Sequence, residues 1–249
     1  MEKIANLDTY NDGMRKSMAD KLFFTGLIKD DTIDTIVDYG CADGTLLSMI
    51  DGWKKIGVDM NLDMILRAQE LCPSAKFILA NNLPIMDGTH KILNLSSVLH
   101  EIYSYGTKDE VFTFWKNMFT SNYDYIVIRD LITDVEPTEW ASNYETKIVR
   151  EMFPNYVNSF ENIWGSIDYQ KNLLHFLLKC RYTENWNREV KENYFNLSVD
   201  ELLKLIPNGY EVFYKNTYCL PFVHDSILAL TKIDIKNTTH IQLILKRVK

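Results

Sequence analysis

The stretch Val37-Asp38-Tyr39-Gly40-Cys41-Ala42-Asp43-Gly44 decides the fold of this chain. It joins a short apolar run, residues 35–39, to a turn that contains two glycines and one alanine. Glycine adopts positive φ at no steric cost and lets a ligand approach the backbone. The stretch therefore predicts a strand that ends in a ligand-binding turn, as where open α/β sheets bind nucleotide-like molecules.

Similar apolar runs recur along the first 130 residues of the sequence. Each is short, bounded by polar residues and not alternating in polarity, which is typical of strands buried on both faces of a parallel sheet. The runs are residues 35–39, 55–58, 76–79, 91–95 and 125–128. Helical periodicity lies between them, with Asn61 in a capping position and a capping box at Thr107 and Glu110. This β-α-β-α order predicts an α/β fold with a doubly wound, mostly parallel sheet.

The strand–helix alternation stops after residue 130. Residues 131–206 are rich in aromatic side chains and helical patterns, including a capping box at Ser198 and Glu201. Two closing strands are expected at 210–218 and 240–248, with a partly helical connection between them. We therefore expect a core over residues 1–130 with an N-terminal helix at 14–27, a helical substrate or lid insert over 131–206, and closing strands over 207–249.

Bulk properties narrow the class of protein. The formal net charge of −7 disfavours nucleic acid as a partner, because phosphate binding needs clustered Lys and Arg. The four scattered cysteines include no C-x-x-C pair, which favours a reducing compartment over a disulfide framework or zinc site. Neither an N-terminal signal-peptide pattern nor a membrane-spanning apolar run is visible in the sequence. We therefore expect a cytoplasmic protein with no membrane partner.

The acidic residue after the second run tests which cofactor the turn suits. Asp59 follows Asp38 by 21 residues, a spacing that suits a carboxylate on ribose hydroxyls. A dinucleotide site needs a third glycine three residues after Gly44, and Leu47 stands there. No G-K-[ST] triplet of a P-loop occurs. The turn therefore favours a ribose-containing cofactor without a pyrophosphate group.

These segments together resemble the class I S-adenosylmethionine (SAM)-dependent methyltransferases. Residues 38–44 match the D-x-G-C-G-x-G loop of that family, with Ala42 in place of its middle glycine. Residues 57–59 resemble its ribose-binding motif, residues 77–84 its third motif with Asn81 in the place of an Asp, and residues 94–101 its S-x-V-L-H segment. The resemblance covers about residues 20–130 and resumes at the closing strands. It implies a seven-stranded sheet with the helical insert between strands five and six.

The resemblance also implies SAM as cofactor, with S-adenosylhomocysteine as product. The residues that it places against the cofactor are Asp38, Gly40, Cys41, Ala42, Gly44, Asp59, Met60, Asn81, Asn82, Ser96 and Ser97.

Three residues are candidates for catalysis. His100 follows the fourth run, where the acceptor should approach, and is the natural base for a hydroxyl or protonated amine. Glu101 beside it could orient a substrate amine, and Asp130 ends the fifth run at the same rim. Each has a structural alternative: His100 as a packing residue, Glu101 as an exposed side chain, and Asp130 as a hydrogen-bonding partner of the adjacent loops.

Four further side chains are candidates for the acceptor pocket. Tyr103 and Tyr105 could form its wall, while His175 and Arg181 lie on a helical run at 169–182. Arg181 could bind a substrate anion or reach solvent at the helix end. No metal is implied, because the Asp-Asn pair of the metal-dependent catechol type is absent: the chain has Asp130-Leu131 there.

The sequence thus predicts a SAM-dependent methyltransferase acting on oxygen or nitrogen of a small molecule. RNA or protein acceptors remain alternatives, as does a catalytically silent subunit with this fold that binds a partner through the aromatic insert.

Overall fold

The computed structural model describes residues 17–248. The strands of this part are β1 Thr35–Tyr39, β2 Lys54–Asp59, β3 Lys76–Leu79, β4 Lys91–Ser96, β5 Tyr125–Leu131, β6 Tyr210–Tyr218 and β7 His240–Arg247. Its helices are α1 Met18–Lys21, α2 Phe23–Leu27, α3 Thr45–Ser48, α4 Leu62–Leu71, α5 Leu99–Tyr105, α6 Lys108–Thr120, α7 Asn143–Met152, α8 Pro154–Trp164, α9 Gln170–Lys179, α10 Trp186–Glu189, α11 Val199–Lys204 and α12 Pro221–Thr231. Of the expected N-terminal helix, residues 14–16 lie outside the described residues, and 18–27 form two short helices.

The strands form one seven-stranded sheet in the order β3-β2-β1-β4-β5-β7-β6. The ladders β2–β3, β1–β2, β1–β4 and β4–β5 are parallel. β7 runs against both neighbours: Arg247 N bonds Asp124 O and Ile132 N bonds Thr239 O on the β5 side, while Val248 N bonds Gly209 O on the β6 side. The sheet is therefore mixed, and our expectation of a mostly parallel sheet was wrong in this detail. The apolar pattern of β7 could not reveal its direction, because burial on both faces is the same either way.

Local capping signals set several helix starts. The Asn61 side chain accepts from the backbone N–H groups of residues 63 and 64 at the start of α4. Thr107 and Glu110 form the capping box of α6, and Ser198 and Glu201 exchange the same pair of bonds before α11. These caps confirm the sequence prediction. They were predictable because each involves only residues within one helical turn.

The chain divides into two compact units. One consists of residues 131–201 and 217–240, and it has its own apolar core around Val149, Phe160, Leu174 and Phe176. The other consists of residues 17–130, 202–216 and 241–248, with a core that includes Phe24, Ile36, Leu47 and Ile92. Helices α7 to α11 lie between β5 and β6 in sequence. Within residues 17–248, every helix is too short or too polar to cross a bilayer.

Candidate functional site

The loop after β1 has the backbone that its small residues predict. Gly40, Ala42 and Gly44 have φ values of 78°, 45° and 76°. Ala42 thus adopts the left-handed conformation at the place of the family's middle glycine. At Gly40 a Cβ atom would stand 2.8 Å from Val98 Cγ2. The absence of a side chain at Gly40 therefore lets the β1 loop lie directly against the turn that follows β4.

The amide groups of this loop are engaged within the protein. Gly40 N and Cys41 N both donate to Val58 O, at 2.8 and 3.1 Å, and Gly44 N donates to Cys41 O at 2.9 Å. Ala42 N donates to the Asp59 carboxylate at 3.0 Å. A pyrophosphate needs such amides aimed at the ligand. Here they point inward, so the loop does not form a phosphate cradle.

A carboxylate also occupies the helix start where a phosphate would sit. Asp43 accepts the N–H of Thr45 at 3.1 Å and its hydroxyl at 2.6 Å, at the first turn of α3. Its negative charge would repel a phosphate group at that position. The structure thus adds a second reason, beyond the missing third glycine, why the site does not suit a dinucleotide.

Asp59 ends β2 with both carboxylate oxygens held by backbone N–H groups. Oδ2 accepts from Ala42 at 3.0 Å and Oδ1 from Asn61 at 2.8 Å. Each oxygen retains a further lone pair for a hydroxyl donor. Partial burial raises the pKa of Asp59, against the lowering effect of these bonds. The carboxylate is therefore fixed in place at the strand end and can accept from ribose.

Asp38 and Asn94 form a buried pair beneath the loop. They face each other in the β1–β4 ladder, and Asn94 Nδ2 donates to Asp38 Oδ1 at 2.8 Å. Burial raises the Asp38 pKa to about 6. Within the described part of the chain, Asn94 Oδ1 and Ser96 Oγ are buried without a hydrogen-bond partner. Buried polar atoms are normally satisfied by protein, water or ligand, so these two atoms of β4 are consistent with a polar ligand nearby.

The other predicted cofactor residues differ in exposure. Met60 is 47% exposed directly after Asp59, and Asn81 and Asn82 are exposed in the loop after β3. Cys41, by contrast, is buried, and the nearest atoms to a Cβ at Gly57 would include its Sγ at 2.8 Å. The Cys41 side chain therefore packs against β2, which leaves only its backbone for a ligand.

His100 and Asp130 form a buried pair. His100 Nδ1 lies 2.6 Å from Asp130 Oδ1, and their side chains are 9% and 4% exposed. Asp130 Oδ2 accepts the backbone N–H groups of Val98 and Leu99, at 2.9 and 2.7 Å. The carboxylate thus caps α5 and fixes the imidazole with the same group. With Nδ1 as the donor to Asp130, the basic lone pair of the ring is on Nε2.

The residues that follow His100 lie along α5. Glu101, Tyr103 and Tyr105 are half-buried. Tyr103 Oη accepts from Trp115 Nε1 at 2.9 Å, and the two side chains line a surface groove with Phe112. Their roles towards an acceptor stay predictions.

Three charged residues near the pair were not singled out from the sequence. Arg129 donates from Nε to Asp20 Oδ2 at 2.6 Å and from Nη1 to Ser97 Oγ at 2.8 Å. Lys21 is 5% exposed, and burial, with the charge of Arg129, lowers its pKa to about 8. An arginine inside the apolar strand at 125–131 was the available signal, because a buried charge requires a partner.

His175 is buried among aromatic rings, and Arg181 lies beside one. His175 is 3% exposed and surrounded by the rings of Phe160, Trp164, Tyr194 and Phe195. Burial lowers its pKa well below the ordinary value, so it is a neutral core histidine. The guanidinium of Arg181 lies 5.0 Å from the ring centre of Tyr182. Packing among these rings accounts for the position of His175, and the assignments of His175 and Arg181 to the acceptor stay predictions.

Comparisons with known proteins identify the fold. No protein-family model matches the sequence, and no curated protein does. Solved structures do match: the mitomycin 7-O-methyltransferase MmcR has a TM-score of 0.52 at 12% identity, over 93% of this chain and 54% of that one. The methyltransferase domain of bacterial CtHen1-C has a TM-score of 0.50 at 11% identity, over 94% and 99%. The chain has the class I SAM-dependent methyltransferase fold.

This methyltransferase fold brings the predicted residues together at the carboxyl ends of adjacent parallel strands. β1 lies between β2 and β4, with Tyr39 level with Val58 on one side and Leu95 on the other. Asp59, the glycine loop and Ser96-Ser97 therefore follow neighbouring strand ends. Their contacts with SAM stay predictions, while their common position is a feature of the methyltransferase fold of this chain.

Proposed function

We propose that this protein transfers a methyl group from SAM to an oxygen or nitrogen atom of a small molecule. The observation that carries the proposal is the contact between the β1 loop and the turn before His100, through Gly40 and Val98. That contact puts the loop for a cofactor and a histidine held by Asp130 on adjacent chain segments. Cofactor binding and proton removal are the two tasks that such a reaction sets.

The residues at the carboxyl ends of β2 and β3 offer groups that suit the ribose and adenine parts of SAM. Asp59 offers fixed carboxylate oxygens for the ribose hydroxyls, exposed Met60 offers an apolar face to the adenine ring, and Asn81 offers an amide to its exocyclic amine. The inward-pointing loop amides and the Asp43 carboxylate disfavour a phosphate-containing rival. SAM, when bound, supplies an electrophilic methyl group on a sulfonium ion.

The chain contributes orientation and a base. Because displacement at a methyl group needs the attacking atom in line with the leaving sulfur, alignment supplies much of the acceleration. We assign His100 Nε2 as the group that accepts the proton of the acceptor hydroxyl or ammonium. Asp130 fixes the ring and its tautomer through Nδ1, and its negative charge favours the imidazolium that forms.

The charge of the chain and its structural neighbours support a small-molecule acceptor. A net charge of −7 works against a polyanionic acceptor such as RNA. MmcR, among the structural neighbours, is by its name an O-methyltransferase of mitomycin. A catalytically silent subunit would bind its partner through exposed aromatic residues in the insert, and only Trp140 and Tyr144 are exposed there. Its other aromatic side chains are buried or half-buried, namely Phe153, Tyr156, Phe160, Trp164, Tyr169, Phe176, Tyr182, Trp186, Tyr194 and Phe195.

Two measurements test the proposal. Calorimetry should detect binding of SAM and S-adenosylhomocysteine to the purified protein, and absence of heat at high micromolar ligand would overturn it. Methyl-labelled SAM is then incubated with the protein and separated pools of small molecules, RNA and protein. Label in the small-molecule pool supports the proposed acceptor class. Label in RNA or protein would replace that class, and binding without any transfer would favour the silent subunit.

A further inference from the structure

The turn between β4 and α5 contains a strained residue. Ser97 has φ of 58°, in the left-handed region that residues with a Cβ rarely adopt. Such a conformation is unfavourable and persists only where surrounding groups hold it. The strained residue lies three positions before His100 and next to Val98, against which the β1 loop packs. The groups that hold Ser97 therefore bear on both parts of the site.

Arg129 holds Ser97 at two points. Its carbonyl accepts Ser97 N–H at 2.7 Å, and its Nη1 donates to Ser97 Oγ at 2.8 Å. The arginine is only 3% exposed. A bond from a buried guanidinium is charge-assisted and directional, since its planar fork fixes where each N–H points.

Arg129 is itself fixed from the other side. Its Nε donates to Asp20 Oδ2 at 2.6 Å, and Asp20 Oδ1 accepts from Gln242 Nε2 at 2.9 Å. A chain of bonds thus runs from β7 through α1 and β5 to the Ser97 turn. Arg129 and Gln242 are buried, and the Asp20 side chain between them is 16% exposed, so this series of hydrogen bonds is largely shielded from solvent.

Arg129 and Asp130 are consecutive residues of β5 that hold the same turn. Successive side chains of a strand leave it on opposite faces. Arg129 bonds Ser97, while Asp130 bonds Val98, Leu99 and His100. The turn is therefore held from both faces of the strand, and a shift of Ser97 would move the first residues of α5 relative to Asp130.

We propose that Arg129 is a positioning residue, which acts through Ser97 to keep His100 in register with Asp130. The role of His100 as base belongs to the proposed function, on which this inference rests. Lysine cannot replace Arg129, because one ammonium group does not span Asp20 and Ser97 with separate fixed N–H groups. The effect should therefore appear in Arg129→Lys although the charge is kept.

The test observes the hydrogen bond between His100 and Asp130 directly by NMR and needs no methyl acceptor. A ring N–H held by a carboxylate gives a downfield proton resonance in NMR, and its loss in Asp130→Asn assigns it. We expect Arg129→Lys and Ser97→Ala each to accelerate solvent exchange of this proton about tenfold, as for loss of one charge-assisted bond. The double variant should exchange no faster than the faster single variant, because both changes break one interaction.

The control is Ser74→Ala, which removes a hydroxyl in the loop before β3 and should leave exchange unchanged. Melting temperatures identify any variant that does not fold, and Ser97→Ala alone then decides. Unchanged exchange in the folded single variants, additive acceleration in the double variant, or a wild-type spectrum without an Asp130-dependent signal would each overturn the proposal. Failure of the wild type to bind S-adenosylhomocysteine would instead overturn the proposed function, whatever the NMR result.

Discussion

Gly40 has a positive φ and lies too close to Val98 for a side chain, and alanine substitutions can separate these two constraints. Gly40→Ala places a Cβ at φ 78° and within 2.8 Å of Val98 Cγ2. Gly52, in the loop before β2, has a similar φ of 85° but nothing within 4 Å of its own Cβ position. Gly52→Ala therefore imposes the same backbone strain without the collision, and it is the matched control.

The expected losses of stability follow from the backbone strain and from the collision with Val98. An L-residue in the left-handed region costs roughly 1–2 kcal/mol, so Gly52→Ala should lower the free energy of unfolding by about that amount. Gly40→Ala adds the cost of overpacking, about 1–3 kcal/mol. Because Val98 is buried and precedes a helix capped by Asp130, relief requires a shift of the loop or the turn. We expect affinity for S-adenosylhomocysteine to fall about tenfold or more in Gly40→Ala alone.

Urea unfolding and calorimetry check both parts. The second variant Gly40→Ala/Val98→Ala removes the colliding Cγ2 and should recover part of the lost affinity. Equal losses of stability and affinity in Gly40→Ala and Gly52→Ala would refute the reasoning, because backbone strain alone would then explain both. Full affinity in Gly40→Ala would mean that the loop is not the cofactor site.

Four other changes test separate parts of the site and fold. Asp59→Ala should weaken S-adenosylhomocysteine binding about tenfold in calorimetry, because it removes a carboxylate expected to accept from ribose. His100→Gln should lower turnover about a hundredfold with near-normal cofactor affinity, once an acceptor is known. Burial raises the pKa of Asp38 from 3.8 to about 6, so folding takes up a proton in this window and stability falls as pH rises through it. Asp38→Asn should remove this decline in urea unfolding. A hydrogen bond with Asp234 raises the pKa of His224 above 6.5, so the protonated ring stabilises the fold below pH 6.5. This contribution is lost as pH rises through the raised pKa. His224→Gln should therefore lower the free energy of unfolding below pH 6.5 and leave it unchanged at alkaline pH.

Each of these expectations has a contrary result. Unchanged affinity in Asp59→Ala would mislocate the ribose, and unchanged turnover in His100→Gln would remove it as the base. A wild-type decline in stability that persists in Asp38→Asn would assign that proton uptake to another group. A pH-independent effect of His224→Gln would show that its ring does not titrate with folding.

Strand positions were predictable because each depends on a short apolar run between polar residues. The runs at 35–39, 76–79 and 210–218 coincide with β1, β3 and β6. β5 extends three residues beyond the predicted 125–128, because Arg129 and Asp130 are polar yet buried by their partners. Strand ends predicted from apolar runs are wrong where a charged side chain of the strand is buried by a partner that is distant in sequence.

The sequence predicts the residues of the candidate site and not the bonds between them. Gly40, Asp59 and His100 are predicted from a resemblance in residue types and spacing. The part of Asp130 in holding His100 depends on two residues 30 apart in sequence. The surroundings of His175 were not predictable, because the four rings that enclose it come from α8 and from residues 194 and 195, which no local pattern joins to α9.

The sequence by itself determined the elements whose causes are local. These are the strand cores, the glycine loop, and the helix caps, since each arises from neighbouring residues and the backbone conformation they allow. Tertiary structure alone decided the direction of β7, the clamp of Arg129 and Asp130 on the Ser97 turn, and the burial of His175. These features depend on charges and rings from distant segments, whose energies exist only once the chain has brought them together.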